Sequence, residues 1–403
     1  MKHYFKKALN FIFKTQFLEV AICAIAIFVL VKLGFVKNSQ IIDPTIFSTV
    51  IIASLVLIVV NFIRKCIYNK LEDYLKLEQN YPSLIKKYSK NKLVKFDNNI
   101  IPVVKVCGLL GKRIVVEDHK ESFYNVPKMV AENYEELIGA HLTSKVYNNN
   151  MIKVNSWRDE GDCFKIVTER TTYFDSLVTN RVMDYKFHGN LSVRELYESG
   201  PYLRDLEESA LSNHLGFNGM IESSDGYFPL VLRKKDVSIG KKTYGNSIGA
   251  SLKIKYALES AESSFEESGI YNSIANEIKD EMGIEEDVKP EIICAYRDLV
   301  EGGKPQLFFY YKSKLTRDEI TEKFSYKGIK KKPLSRVVSK NQKLEVAMLK
   351  DGNKLEWITK EDLMKNTEVF ADYVNTVVDG KSRSLKMMPS ASACMVFLID
   401  YLK

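Results

Sequence analysis

FLEVAICAIAIFVLVKLGFV, residues 17–36, and PTIFSTVIIASLVLIVVNFI, residues 44–63, are two strongly apolar stretches close to the start of the chain. Each contains about 20 residues, and at a rise of about 1.5 Å per residue a helix of that length crosses a hydrocarbon core of about 30 Å. The connection between them, 37–43, is too short to hold a domain. The sequence therefore predicts an N-terminal two-helix transmembrane hairpin over residues 1–64.

Basic residues predict the orientation of this hairpin. The connecting loop contains only Lys37, whereas seven basic residues flank the two outer ends of the hairpin. These flanking residues are Lys2, Lys6, Lys7, Lys14, Arg64, Lys65 and Lys70. Because Lys and Arg are enriched on the cytoplasmic side of membrane proteins, both termini and the main domain are expected to be cytoplasmic. The predicted localisation is the bacterial inner membrane, with two spans and with membrane lipid as a partner.

Composition describes an ordinary folded protein beyond the hairpin. The chain has 403 residues, of which 45% are hydrophobic and 27% charged, with a net charge of +8. These values exclude disordered and low-complexity classes. The cysteines lie far apart, without a CxxC pair or histidines at zinc spacing, so neither a disulfide framework nor a zinc site is predicted. A mild positive charge selects no partner by itself.

The rest of the chain is expected to be a cytosolic α+β domain. We predict a stalk or linker helix over 65–98, an accessory α/β segment over 99–160 and a main domain over 161–403. Apolar or alternating runs predict strands at 100–110, 163–174, 220–233, 291–300 and 306–315. Helical periodicity appears at 193–214, 253–282, 359–373 and 389–402. Asp225-Gly226 predicts a hairpin turn between two apolar strands.

The most informative segment of this domain is NEIKDEMGI, residues 276–284. On a helix, Glu277 and Glu281 are four residues apart and Asp280 is three from Glu277, so their carboxylates converge on one side. Such a cluster favours a divalent cation with oxygen ligands, Mg²⁺ or Mn²⁺. The alternative is a solvated acidic face. Gly283 is expected to cap the helix in the left-handed conformation.

This segment resembles the end of the Nudix box, in which Arg-Glu-apolar-any-Glu-Glu-any-Gly-apolar closes a longer pattern. LGFNGMIESSDGYFPLVLRKK is similar to the first Nudix hairpin, GNSIGASLK occupies the place of the glycine loop, and EWITKEDL resembles the late tryptophan-containing turn. The resemblance covers about residues 160–403 and implies a Nudix-like fold. Four positions depart from the family pattern: Glu262 replaces Gly, Ser268 replaces Glu, Asn276 replaces Arg and Asp280 replaces Glu. A shift of one or two residues would let Glu266 or Glu267 replace the missing carboxylate. With only the metal-binding half recognisable, we expect hydrolysis to be slow or absent.

Two membrane helices followed by such a domain resemble the transmembrane Nudix effectors of cyclic-oligonucleotide antiphage systems (CBASS), which are associated with CD-NTase nucleotidyltransferases. The resemblance implies that a cyclic oligonucleotide binds the domain, that copies assemble into a homo-oligomer, and that the hairpins disrupt the inner membrane in abortive infection. No nucleic-acid polymer is expected as a partner. A membrane-tethered Nudix hydrolase acting on nucleoside diphosphate derivatives is the alternative, and a partner-recruiting membrane protein is the third possibility.

The candidate ligand residues are cations and aromatic residues close to the expected cleft. Phosphates need cations and bases need flat partners. The candidate nucleotide-binding residues are Arg170, Tyr173, Arg233, Lys234, Lys235, Lys241, Lys242, Tyr244, Tyr296 and Arg297. The candidate metal ligands are Glu277, Asp280 and Glu281, and no catalytic residue is assigned.

Overall fold

The computed structural model describes residues 76–403, except 142, 143, 145, 236, 261, 262 and 331–351. Of the described residues, 76–185 and 192–403 belong to one compact unit, and the short segment 186–191 belongs to a second unit. Within that segment, the backbone N–H of Phe187 donates to the Leu191 carbonyl at 2.8 Å.

The described chain contains both α-helices and β-strands, with several runs of consecutive strands. The helices are α1 Tyr81–Lys87, α2 Lys128–Ala131, α3 Tyr134–Gly139, α4 Tyr173–Val178, α5 Val193–Tyr197, α6 Ile254–Ala257, α7 Glu267–Met282, α8 Arg317–Lys330, α9 Lys360–Lys365 and α10 Pro389–Leu402. The strands are β1 Leu93–Phe96, β2 Asn99–Gly108, β3 Arg113–Phe123, β4 Asn150–Asp159, β5 Cys163–Thr172, β6 Gly216–Glu222, β7 Tyr227–Arg233, β8 Tyr244–Gly245, β9 Ile248–Ser251, β10 Glu291–Asp298, β11 Lys304–Lys312, β12 Gly352–Thr359, β13 Glu368–Val369, β14 Tyr373–Val378 and β15 Lys381–Lys386.

These strands form a central six-stranded sheet and three smaller sheets. The central order is β1-β2-β10-β11-β6-β9, and the smaller sheets are β12-β7-β8, β13-β14-β15 and β3-β5-β4. In the central sheet β11 and β6 pair in parallel and the other neighbours pair antiparallel. β11 is buried from Lys304 to Tyr311, as expected for a strand covered on both faces. The described domain is therefore a mixed α/β domain with several sheets.

The first hydrophobic core lies on one face of the central sheet. Ile270, Ile274 and Ile278 recur every four residues along α7 and are fully buried. They pack in one cluster with Leu307 and Phe309 of β11. Burying each such side chain contributes about 1.5–3 kcal/mol. After α7 ends, Gly283 has φ 79° and its N–H donates to the Lys279 carbonyl, which confirms the predicted left-handed cap.

The second core lies on the opposite face. Alternation along β11 places Phe308 and Tyr310 on that face, where they join Tyr296 and residues of α10 such as Met395 and Phe397. Pro389 begins α10, and its missing N–H is tolerated in the first helical turn. The predicted helix at 389–402 is confirmed. The central sheet is therefore packed between two hydrophobic cores.

Several local predictions need correction. The helix predicted at 253–282 is interrupted between α6 and α7, and the helix predicted at 359–373 ends with α9 and is followed by β13. The turn at Asp225-Gly226 forms, with Gly226 at φ 83° and its N–H donating to Ser223, but β6 and β7 on its two sides belong to different sheets. The predicted helix at 193–214 is wrong beyond α5: after Glu198 the chain passes through Gly200-Pro201 to a 3-10 turn at Leu206–Glu208. Proline disfavours helical geometry in the residue before it, which ends the periodic pattern.

The predicted fold class, an N-terminal transmembrane hairpin followed by an α+β domain with a Nudix-like fold, is corrected to the mixed α/β domain above. The apolar stretches 17–36 and 44–63 lie outside the described residues. Within the described part of the chain, no helix combines the length and apolar character needed to span a membrane. The longest, α7, has 16 residues and extends about 24 Å, less than a hydrocarbon core of about 30 Å. The predicted two-span inner-membrane localisation conflicts with this finding.

Candidate functional site

A cavity of about 220 Å³ lies where the central sheet meets the β12-β7-β8 sheet. Strands contribute much of its wall, with Asn218 from β6, Arg233 from β7 and Gln306 from β11. Gly249 on β9 keeps the wall open between two of these side chains. A Cβ added at Gly249 would lie 3.1 Å from Asn218 Oδ1 and 3.8 Å from Arg233 Nη1.

Basic side chains from separate parts of the chain reach this cavity. The lining cations are Arg181, Arg233, Lys234, Lys253 and Lys304. Arg181 lies in the 3-10 turn Asn180–Val182, and its guanidinium packs 5.1 Å from the centre of the Tyr173 ring. Its Nη1 donates to Tyr173 Oη at 2.8 Å and also to Ser238 Oγ. These contacts orient a guanidinium, whose planar fork matches a phosphate.

Two buried amide side chains face the same cavity. Asn246 and Gln306 are each 4% exposed and both line it. Neither polar atom of the Asn246 amide, nor Gln306 Oε1, has an oxygen or nitrogen hydrogen-bond partner among the described residues. The Asn246 amide has a hydrogen bond with the Cys394 thiol, but a thiol is a weak partner. Since buried polar groups are normally paired, these amides are candidates for hydrogen bonding to a ligand.

Glycine makes the position of Gln306 possible. Residue 306 pairs in register with Gly216 on the parallel neighbour β6. A Cβ at Gly216 would lie 2.1 Å from Gln306 Oε1 and 3.1 Å from Lys304 Nζ. Any side chain at 216 would therefore displace the Gln306 amide and press against the Lys304 ammonium.

Ionisable groups with perturbed pKa values surround one end of the cavity. Burial, reinforced by the Glu301 carboxylate, raises the pKa of Asp298 to about 7. Burial also lowers the pKa of Lys304 to about 8. Glu301 Oε2 lies 3.4 Å from Arg181 Nε and 4.0 Å from Lys304 Nζ. Clusters of buried ionisable groups in a cavity are a recognised mark of functional sites.

Two aromatic residues complete the wall. Tyr147 and Tyr244 line the cavity and are each half-buried. The Tyr244 hydroxyl donates to Glu356 Oε1 at 3.3 Å, which orients its ring. Aromatic faces of this kind stack on nucleobases at about 1–3 kcal/mol per base. The cavity thus combines cations, amides and aromatic rings.

The structure brings part of the predicted ligand set into this cavity. Tyr173, Arg233, Lys234 and Tyr244 line it, and so do Glu277 and Glu281 from the predicted metal cluster. Apart from Lys234, which directly follows β7, these residues come from β7, β8, α4 and α7. Tyr296 lies just behind the wall, where its hydroxyl accepts from Asn218 Nδ2 at 2.7 Å.

Other predicted ligand residues lie away from the cavity. Arg170 makes a buried bidentate ion pair with Asp118, at 2.6 and 2.7 Å. Arg297 is 5% exposed, and its Nε donates to the Gly303 carbonyl at 2.7 Å. Three lysines of the segment after β7 are not among the residues that the structure places on the wall: Lys235, Lys241 and Lys242. The two arginines have structural partners instead of a ligand-facing position.

The carboxylates predicted to bind a divalent cation are engaged by other side chains of the domain. Glu277 is 2% exposed and its Oε1 accepts from Lys253 Nζ at 2.5 Å. Asp280 accepts from the Tyr256 hydroxyl and is not among the wall residues. No group of three or more His, Cys, Asp or Glu side chains in the described part of the chain is arranged to hold a metal ion. As placed, these residues do not fit a divalent cation.

Several cavity residues escaped the sequence analysis. Asn246 and Lys253 lie within GNSIGASLK, which the sequence indicates only as a glycine loop. Lys304 and Gln306 lie at the start of the apolar strand β11. Lys304 and Gln306 could have been found from the sequence, because polar residues alternate with apolar ones at this end of the strand. Arg181 carries no such signal, because its position depends on packing against Tyr173.

Comparisons with known proteins leave the family open. No protein-family model matches the chain, and no curated protein matches it. The crystal structure of DR0079 from Deinococcus radiodurans is similar to part of it, with 10% identity, 34% of this chain and 83% of that chain covered, and a TM-score of 0.19. A likeness at that TM-score carries no argument about fold or function. The resemblance to Nudix proteins therefore remains a prediction.

Proposed function

We propose that the described domain binds a phosphorylated nucleotide in the cavity and acts as a nucleotide sensor. The observation that carries this proposal is a group of poorly paired buried amide atoms, those of Asn246 and Gln306 Oε1, that converge with the cations Arg181, Arg233 and Lys304 in one cavity. An amide presents a donor and an acceptor side by side, as the edge of a nucleobase does. Guanidinium and ammonium groups complement phosphate.

The size of the cavity limits which part of a ligand it encloses. Its volume of about 220 Å³ is below the about 300–1,000 Å³ typical of sites for drug-sized molecules. One nucleotide unit is the appropriate scale. If the ligand is the cyclic oligonucleotide of a CD-NTase system, as the resemblance to CBASS effectors implies, one unit enters the cavity and the remainder lies at its mouth.

Sensing is favoured over hydrolysis by the carboxylates at the site. Glu277, which matches the Nudix box, is engaged by Lys253 inside the protein. Asn276 stands where the family has an arginine, and its Nδ2 donates to the Asn272 carbonyl of its own helix. A carboxylate or an arginine that stabilises a transition state typically raises the reaction rate by a factor of about 10² or more. Hydrolysis without these contributions is expected to be slow. Rapid metal-dependent turnover of a nucleoside diphosphate derivative would favour the hydrolase.

A matched pair of variants tests the proposal. Arg233 lines the cavity, and Lys235, two residues along the chain, is exposed and outside the wall. Isothermal titration of the full chain with nucleoside mono- and diphosphates and with cyclic dinucleotides should show binding to at least one of them. Arg233→Gln should weaken that binding by about tenfold or more, because a charge-assisted hydrogen bond contributes about 1.5–3 kcal/mol. Lys235→Gln should leave it unchanged, and equal losses in both variants would place the ligand elsewhere.

A further inference from the structure

The ammonium of Lys253 is held by two groups of the domain. Its Nζ donates to Glu277 Oε1 and lies 5.4 Å from the centre of the Tyr256 ring. The Tyr256 hydroxyl in turn donates to Asp280 Oδ2. Lys253 lies directly before α6, and its carbonyl accepts from Tyr256 and Ala257. Backbone and side chain together therefore fix the ammonium at the cavity wall.

Glu277 needs a cation in this position. Its side chain is 3% exposed, whereas that of Lys253 is 25% exposed. A carboxylate buried to this extent is strongly destabilising unless a cation or several hydrogen bonds compensate its charge. A divalent metal ion or an ammonium can each supply that compensation. The chain supplies the ammonium.

A divalent cation would have to displace this lysine. Mg²⁺ requires near-octahedral oxygen donors at about 2.0–2.1 Å and loses its water reluctantly. The ion pair occupies Glu277 Oε1, and the hydroxyl of Tyr256 occupies Asp280 Oδ2. An ammonium carries three N–H donors, so one that binds a carboxylate can also bind a phosphate oxygen. The side chain that blocks a metal is therefore itself suited to phosphate.

From this geometry we propose that Lys253 takes the place of a divalent cation in the cavity, so that the ligand binds without metal. The inference rests on the proposed function for the identity of the ligand, but its central claim, that Lys253 excludes a metal from Glu277, stands independently. It also explains why carboxylates at Nudix-box positions accompany a cavity that does not fit a metal.

Mn²⁺ alone is the probe for the first experiment. Electron paramagnetic resonance of free Mn²⁺ should detect no tight site that depends on Glu277 in the full wild-type chain. Lys253→Met should create a site that binds Mn²⁺ at least about tenfold more tightly than the wild-type chain does. Lys253→Met combined with Glu277→Gln should abolish this gain, and the double variant preserves shape without leaving a buried charge unpaired. A wild-type site that Glu277→Gln removes would overturn the proposal.

The second experiment measures ADP affinity of the wild type in EDTA and in excess Mg²⁺. Equal affinities, within about twofold, support metal-free binding, and a loss of about tenfold or more in EDTA overturns it. Failure of ADP and of every other nucleotide to bind would refute the proposed function. The Mn²⁺ titration would then still decide whether Lys253 excludes a metal.

Discussion

Replacement of Asn246 by leucine should stabilise the ligand-free protein and weaken ligand binding. Both polar atoms of the Asn246 amide are buried, with less than 1 Å² exposed each, and neither has an oxygen or nitrogen partner among the described residues. The Cys394 thiol beside the amide is only a weak hydrogen-bond partner. A buried polar group in this state costs about 1–3 kcal/mol, and an apolar side chain of similar shape avoids that cost. We therefore expect Asn246→Leu to raise the free energy of unfolding by about 1–3 kcal/mol.

Asn218 provides the matched control, because it is the same residue type in the same wall. Its Nδ2 donates to Tyr296 Oη at 2.7 Å, so Asn218→Leu removes a hydrogen bond that is made and should destabilise by about 1 kcal/mol. Urea denaturation of both variants without ligand gives the comparison, and titration with the bound nucleotide should show a loss of about tenfold or more for Asn246→Leu. If Asn246→Leu destabilises the protein as Asn218→Leu does, the amide has a structural role and the reasoning fails.

Three further predictions concern charged groups. Arg170→Met should cost about 3–5 kcal/mol of stability, because it removes the cation that compensates the buried Asp118 carboxylate, and nucleotide affinity should be unchanged. Weaker binding without a loss of stability would return Arg170 to the ligand site. Burial raises the pKa of Asp298 from 3.8 to about 7, so the folded state retains a proton that the unfolded chain releases, and stability should fall as pH rises between these values. Asp298→Asn should remove this decline in urea denaturation at pH 5 and 8, and an identical pH dependence in both proteins would contradict the assignment. Because burial lowers the pKa of Lys304 to about 8, affinity for an anionic nucleotide should fall above that pH in the wild type, and persistence of the fall in Lys304→Met would exclude Lys304 as its cause.

Elements with a strong local pattern could be predicted from the sequence. The apolar residues Ile270, Ile274 and Ile278 recur at helical spacing, and they form the buried face of α7. The run in β11 also predicts its strand, since residues such as Phe308 and Phe309 favour extended structure. The Asp225-Gly226 turn formed as well, but pairing of the strands on its two sides depends on partners remote in sequence. Local propensity cannot select those partners.

The site was only partly accessible to the same reasoning. Arg233 and Arg170 look equivalent in sequence, as basic residues at or near strand ends. The first reaches the cavity and the second pairs with Asp118, which is 52 residues away along the chain. Asn246 could not be identified as a ligand residue, because no local sequence pattern shows how well a buried amide is paired in the folded domain. A candidate ligand residue is therefore distinguished by its tertiary partners.

Photoaffinity labelling tests the central claim most directly, that the cavity binds a nucleotide. The full chain would be irradiated with an azido-substituted adenine nucleotide, and the labelled peptides identified by mass spectrometry with and without excess unlabelled nucleotide. We expect label on the cavity-lining segments 244–253 and 304–306, and excess unlabelled nucleotide should suppress it. Absence of competable label, or label confined to peptides remote from the cavity such as the lysine-rich 86–95, would contradict it.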